Sequence, residues 1–485
     1  MSSEFQRKQR IVVIGGGPGG YDAALAAAQL GAEVTLIERS GIGGSAVMTD
    51  VVPSKSLIAT AEAVLAVDDS DELGVQFFLS DDTGSPRKPH VRVNLGAINK
   101  RLLKMAMAQS QDMFDTLNRE GVRVIDGNAR LEGSNSVVVS SVAGDPKTDF
   151  ERVDADTIVV AVGATPRILD TAVPDGERIL TWKQVYDLKA VPEHLIVVGS
   201  GVTGAEFASA YRALGAEVTL VSSRDQVLPG EDADAAGVIE KVFKRSGMTL
   251  LNKSRAKAVK RDGDRVIVEL DDGRTVEGSH CLLALGAIPN TAGLGLEEAG
   301  VQVTESGHIV VNRVARTSVP SIYAAGDCTN FWPLASVASM QGRTAIMHTL
   351  GEMVKPIEER NIAANIFTQP EIATVGIDEN DIEAGRLVTK AVTYKMPLKL
   401  NPRAKMMGVK DGFVKIFASQ GSGVVLGGVI VAPKASELIF SLALAVEHRL
   451  TVDQVATAFA VYPSLVGSIP DIARAMHVRG PLSDQ

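Results

Sequence analysis

One strand–glycine–helix pattern occurs twice in this chain of 485 residues, and it leaves little freedom in the fold. The first copy, Ile11 to Arg39, reads IVVIGGGPGGYDAALAAAQLGAEVTLIER. An apolar run enters Gly15-x-Gly17-x-x-Gly20, an alanine-rich stretch follows, and a second apolar run ends at Glu38. Gly15 permits a tight turn, Gly17 lets the backbone approach a pyrophosphate, and Gly20 allows close helix packing. The helix N-terminus then faces the phosphates. Glu38 stands 18 residues past Gly20, close to the spacing for an acid that bonds a ribose hydroxyl. The second copy, LIVVGSGVTGAEFASAYRALGAEVTLVSSR, carries Gly199, Gly201 and Gly204 at an offset of 184 from the first. The words Gly-Ala-Glu-Val-Thr-Leu recur at the same offset, beginning at Gly31 and Gly215. Two dinucleotide folds imply two dinucleotides. The economical pair is a flavin nucleotide and a nicotinamide nucleotide, with a hydride passing between them. A vestigial second copy is the bland alternative, and the intact glycines in both copies speak against it.

A chain of this length exceeds what one hydrophobic core supports, so several domains are expected. The net charge of -9 argues against a nucleic-acid partner, which would require a basic surface. Anionic cofactors remain open, since backbone amides hold them locally. No apolar stretch is long enough to span a bilayer, and the polar start MSSEFQRKQR does not read as a signal peptide. A cytoplasmic protein without membrane insertion is the expectation. Cys281 and Cys328, the only cysteines, are 47 positions apart and read most simply as reduced core residues. No metal is expected.

Two further stretches point to a flavin. TIVVAVGATPR, residues 157–167, is a buried strand meeting a turn at Gly163. SIYAAGDCTN, residues 321–330, is another strand, ending at Gly326-Asp327. An acid in that place suits a polyol chain, although a turn residue or helix cap reads equally plainly. The offset of 184 carries Glu38 onto Ser222, so the second fold lacks the acid that would repel a 2′-phosphate. Ser222, Ser223 and Arg224 stand there instead. A guanidinium binds phosphate in bidentate fashion, which favours NADPH, while the hydroxyls keep NADH open. Arg224 also reads as a solvated loop residue.

In order along the chain, these stretches resemble the flavoprotein disulfide reductases, especially lipoamide dehydrogenase. The resemblance runs through the first fingerprint, Pro53-Ser54-Lys55, AVGATP (161–166), the second fingerprint, ALGAIPN (284–290), YAAGD (323–327) and FTQPEIATVG (367–376). It implies an α/β fold: two Rossmann-like dinucleotide-binding domains, for FAD and NAD(P), plus an α+β C-terminal dimerisation domain. The implied divisions are 1–166 for FAD, 167–289 for NAD(P), 290–355 for a central region completing the FAD domain, and 356–485 for the interface of a homodimer. FAD would rest on Gly15, Gly17, Gly20, Glu38, Gly163 and Asp327. The nicotinamide cofactor would rest on Gly199, Gly201, Gly204 and the residues after them, with Gly286 in the matching ALGAIPN turn. Lys55 would lie near flavin N5, paired with Glu206. Lys55 read alone is also a plain helix-face charge.

The departures bear on function. The family's redox stretch is Gly-Gly-x-Cys-x-x-x-x-Cys-x-Pro-Ser-Lys, and here Ala46 and Val51 fill the cysteine positions. The family's C-terminal His-Pro-x-x-x-Glu becomes YPSLVG, with Tyr462 for the histidine and Gly467 for the glutamate. A dithiol relay needs a thiolate and a group to manage its proton, and both are gone. Reduced flavin must then pass electrons to an external acceptor. The departures match those of a lipoamide-dehydrogenase-like quinone reductase, which implies an NAD(P)H:quinone oxidoreductase. Tyr462 then reads as a proton donor, a quinone-stacking ring or a mere filler. The competing readings are a soluble transhydrogenase and a flavin-bearing binding protein with residual diaphorase activity. The acidic, turn-rich stretch from Asp68 to His90 reads as an insertion between helices.

Overall fold

The apolar run Ile11–Ile14 forms the buried centre of a parallel sheet. Strand Arg10–Ile14 pairs with Glu33–Glu38 on one side and Thr157–Val160 on the other. Ile322–Ala324 and Arg123–Asp126 complete five strands. Strands covered on both faces read as continuous apolar runs, which is why the period of two is missing from these segments. The computed structural model describes residues 7–68, 70–75, 91–141, 150–387 and 390–477. Most of the stretch from Asp68 to His90 lies outside these, apart from a short 3-10 turn at Ser70–Leu73.

The chain divides into two units, the first made of residues 1–56, 97–168 and 285–358. Its parallel sheet carries the fingerprint helix Pro18–Gln29 and the helix Ala335–Thr349. These two helices approach closely because small residues meet: a Cβ on Gly342 would lie 2.0 Å from the Gly19 carbonyl oxygen. A three-stranded antiparallel sheet (Asn128–Leu131, Ser136–Ser140, Phe150–Asp154) lies in the same unit. So does a small ladder pairing Ala164–Pro166 with Ala287–Pro289. The stretches AVGATP and ALGAIPN are therefore partners in space, Thr165 facing Ile288.

The second unit holds residues 57–96, 169–284 and 359–485. Its parallel sheet repeats the first. His194–Val198 pairs with Glu217–Val221 and His280–Leu283, and the offset of 184 is preserved residue by residue: Arg10 faces Glu33, and His194 faces Glu217. The same unit contains a five-stranded antiparallel sheet in the order Ala363–Ile366, Glu371–Gly376, Val425–Ala432, Phe413–Ser419, Ala391–Pro397. Helix Ala435–Glu447 buries Ala435, Ile439, Leu442 and Ala445 in the core of that sheet. Each fully buried Leu or Ile there contributes about 1.5–3 kcal/mol. The opposite face of the helix leaves Phe440 65% exposed. Among the described residues no helix is long and apolar enough to cross a membrane.

Candidate cofactor sites

In the first unit the residues singled out from the sequence converge at the carboxyl ends of four adjacent strands. Ile14 is in register with Ile37 and with Val160, and Val160 with Ala324. The turns that follow therefore bring Gly15, Glu38, Gly163 and Asp327 to one edge, where open α/β sheets bind their ligands. Gly15 has φ +100°, and a Cβ on it would lie 2.3 Å from the Ala161 carbonyl oxygen. A Cβ on Gly20 would lie 1.8 Å from the Gly15 carbonyl oxygen, while one on Gly17 would meet nothing within 4 Å. The turn is thus closed on the protein side and open at Gly17, the helix N-cap, which makes no side-chain capping bond. Its first-turn N–H groups are free to meet an anion.

Glu38 also serves the turn itself. Its Oε2 accepts the Gly16 N–H at 2.6 Å, and its Oε1 accepts the Arg39 and Ser40 N–H groups at 2.8 and 2.7 Å. Oε2 takes no second bond among the described residues, so it keeps acceptor capacity for a hydroxyl. Asp327 is half-buried and has no hydrogen-bond partner among the described residues. Burial raises its carboxyl above the ordinary range, with His308 pulling the other way. A desolvated acid without a protein partner is costly unless a polar ligand satisfies it. The open N-cap and the unmatched acid fit a dinucleotide with a polyol segment.

The second fingerprint reproduces the same cradle. A Cβ on Gly199 would lie 2.2 Å from the Ala284 carbonyl oxygen, and one on Gly204 would lie 1.8 Å from the Gly199 carbonyl oxygen. Gly201 faces open space and caps helix Val202–Ala213 without a side-chain bond. The three residues at the end of the next strand differ in what they can do. Ser222 is buried, its hydroxyl lies 2.6 Å from that of Ser200, and it accepts the Arg224 N–H at 3.1 Å. It braces the loop and does not present its hydroxyl to solvent. Ser223 and Arg224 are exposed.

The side chains singled out as catalytic lie on different elements of the chain. Lys55 is half-buried near the start of helix Val51–Asp68. Glu206 is buried on the second fingerprint helix, and its Oε1 accepts the Phe367 N–H at 2.9 Å, tying that helix to the stretch FTQPEIATVG. Tyr462 is 81% exposed, beside the exposed Phe459 and Val461. Gly163 and Gly286 both have positive φ with nothing within 4 Å of a Cβ. Cys281 and Cys328 are both free and buried. Burial pushes the Cys281 thiol up, and it pushes the Cys328 thiol up to about 11 against backbone N–H bonds from Gly163 and Val162.

One cluster has no local signature. Oxygens of Asp232, Asp234 and Glu379 lie within 4.8 Å of one another, a geometry able to hold a metal ion. The Lys415 ammonium fills that place, 2.8, 2.7 and 2.8 Å from the three acids. Burial pulls this lysine down, but the hydrogen bonds outweigh it and raise it to about 12.

Comparison with known proteins agrees with this geometry. A family model described as pyridine nucleotide-disulphide oxidoreductase matches residues 9–342, and the dimerisation domain of that family matches residues 362–473. The chain is 50% identical over 474 residues to an NAD(P)H dehydrogenase (quinone) from Mycobacterium tuberculosis, covering 96% of this chain and 94% of that one. It is 33% identical to a dihydrolipoyl dehydrogenase from Haloferax volcanii, covering 96% and 95%. The crystal structure of LpdA from Mycobacterium tuberculosis superposes with a TM-score of 0.90 at 48% identity, covering 97% of this chain and all of that one.

Proposed function

The chain belongs to the pyridine nucleotide-disulphide oxidoreductase family, and from that premise we propose that it is an FAD-dependent NAD(P)H:quinone oxidoreductase working without a dithiol. The carrying observation is the fate of sulfur. Ala46 and Val51 occupy the positions of the redox pair, and both cysteines present are buried elsewhere with thiols held protonated. A protonated, inaccessible thiol cannot attack a disulfide. FAD, when bound, supplies a two-electron carrier that takes a hydride from NAD(P)H and yields the electrons to a quinone. A relative named NAD(P)H dehydrogenase (quinone), half identical over nearly the full length, supports the same acceptor.

The chain's own residues bind and orient. Gly15, Gly17 and Gly20 would admit the flavin nucleotide's pyrophosphate to the open helix N-terminus, Glu38 would accept from its ribose, and Asp327 would accept from its polyol chain. Lys55 would place a positive charge beside the flavin, where negative charge develops on reduction. Glu206 holds the second fingerprint helix through Phe367. Tyr462, exposed within the segment that matches the dimerisation domain, would serve the acceptor as a proton donor or stacking ring. Two free, buried thiols suit a cytoplasmic setting.

Arg224 and Ser223 give the second site its preference for NADPH. Arg224→Ala is expected to weaken NADPH by about 1.5–3 kcal/mol, the worth of a well-formed hydrogen bond to a charged group. NADH binding is expected to stay close to wild type. Titration of both cofactors by flavin bleaching reads the difference, and an equal loss for the two would take Arg224 out of the phosphate site.

The reading as a whole is tested by anaerobic titration of the purified protein. NADPH should bleach the flavin completely without a long-wavelength thiolate-to-flavin band. Menadione-like quinones should reoxidise it and lipoamide should not. Rapid turnover with lipoamide, or with an NAD+ analogue in preference to quinones, would replace this function with a different one.

A further inference from the structure

Gln341 is fully buried, with 0% exposure, in the middle of helix Ala335–Thr349. A buried amide needs partners, and both ends of this one find them on a single turn. Its Oε1 accepts the Gly326 N–H at 2.8 Å, and its Nε2 donates to Thr329 Oγ1 at 3.4 Å. The turn is closed from within as well, since Thr329 donates both its N–H and its hydroxyl to the Gly326 carbonyl at 2.8 Å. Asp327 is the residue this turn presents. Gly326 has φ +82°, so the turn is held in a conformation that side-chain-bearing residues resist.

The same helix also fixes the glycine-rich end of the site. A Cβ on Gly19 would lie 3.0 Å from the Ala338 carbonyl oxygen and 2.9 Å from the Ala325 Cβ. Gly342, next in the chain after Gln341, packs against the Gly19 carbonyl from the same side. One rigid helix thus touches the turn bearing Asp327 through Gln341 and the first turn of the fingerprint helix through Ala338 and Gly342.

We propose that Gln341 is a positioning residue for flavin retention: it locks the 326–329 turn to the helix that also fixes the glycine-rich N-terminus, so the grips on the polyol and the pyrophosphate are set at one spacing before FAD arrives. The inference rests on the flavoenzyme reading above. Preset grips avoid the ordering cost that a mobile Asp327 would incur on binding. Gln341 acts through Asp327 and touches no reacting atom.

The test follows flavin release from the holoenzyme by the rise in flavin fluorescence after dilution. Gln341→Leu is expected to release FAD on the order of tenfold to a hundredfold faster, as befits loss of a buried hydrogen-bond partner. Asp327→Asn alone should also speed release, and adding Gln341→Leu to it should change the rate by less than about twofold, because the two act in one step. A merely structural glutamine would give additive effects, and additivity overturns the proposal. So does unchanged release from Gln341→Leu. Should that variant fail to fold, Thr329→Val loosens the same turn from its other side and carries the same expectation through the same cycle. A wild-type protein that takes up no flavin at all would instead remove the flavoenzyme reading, and this inference with it.

Discussion

Lys415→Met is expected to destabilise the second unit by about 3–5 kcal/mol, the usual cost of removing one partner from a buried ion pair. The ammonium is almost fully buried and so is the Asp232 carboxylate, 2.8 Å away. Methionine keeps the stem volume and removes only the charge, leaving Asp232 buried with its Ala235 N–H bond at 3.1 Å as partial compensation. Asp234 keeps Lys395 at 2.7 Å, so Asp232 bears most of the loss. Adding Asp232→Asn should recover part of the stability, because asparagine still caps helix Ala233–Arg245 and carries no charge to strand. Melting of wild type, the single variant and the double variant reads both effects. A single variant that melts with wild type would show that the cluster contributes nothing net. The pH dependence has a definite sign. The folded lysine titrates at about 12, above its ordinary 10.5, so its contribution is complete below about 10.5 and is lost as pH rises through about 12. Burial raises the Asp234 carboxyl, but hydrogen bonds from Lys395 and Lys415 outweigh it and hold the group below its ordinary range. Its contribution therefore runs the other way and fades in acid. The methionine variant should lose the alkaline limb of the stability profile.

That lysine marks the boundary of what is legible in the sequence. The strand–turn–helix copies, their offset and the carboxyl-edge turn of each sheet follow from local rules, since each glycine answers to atoms a few residues away or on the adjacent strand. The Gly20 contact with Gly15 is such a case. Lys415 sits in GFVKIFAS, where a lone charge in an apolar strand suggests a solvent-facing position, yet every residue of Phe413–Ser419 is buried. Its partners Asp232 and Glu379 are 183 and 36 positions away, and no spacing rule links them. Gln341 and Gly326 are hidden for the same reason, being brought together by a helix crossing and not by a motif. Ser222 shows the converse error of reading chemistry from position alone. Its alignment with Glu38 points to an available hydroxyl, but Ser200, itself inside the fingerprint, takes that hydroxyl into the loop. Residue type is readable at each of these positions; the direction of the side chain is set by distant packing.

The repeat offers a sharper experiment than either copy alone, because the same substitution can be made at equivalent glycines. Gly20→Ala is expected to yield protein with little or no FAD. Its Cβ would stand 1.8 Å from the Gly15 carbonyl oxygen, and that atom is backbone, so the turn itself must open. Gly204→Ala makes the same 1.8 Å collision with the Gly199 carbonyl oxygen. A clash of this kind cannot be relieved by rotating a side chain, and a cost above about 4 kcal/mol, roughly a thousandfold in affinity, is the scale expected. The consequences should nevertheless differ. Gly204→Ala should purify yellow, with flavin bound in the first unit, and should be bleached by dithionite but not by NADPH at concentrations that saturate wild type. Gly20→Ala should bind NADPH, seen by quenching of protein fluorescence, while lacking a flavin spectrum. Flavin content per chain and bleaching by the two reductants separate the outcomes. If Gly204→Ala loses its flavin and Gly20→Ala keeps it, the assignment of the two folds is reversed. If both lose it, the substitutions act by unfolding, which circular dichroism of the purified variants would reveal.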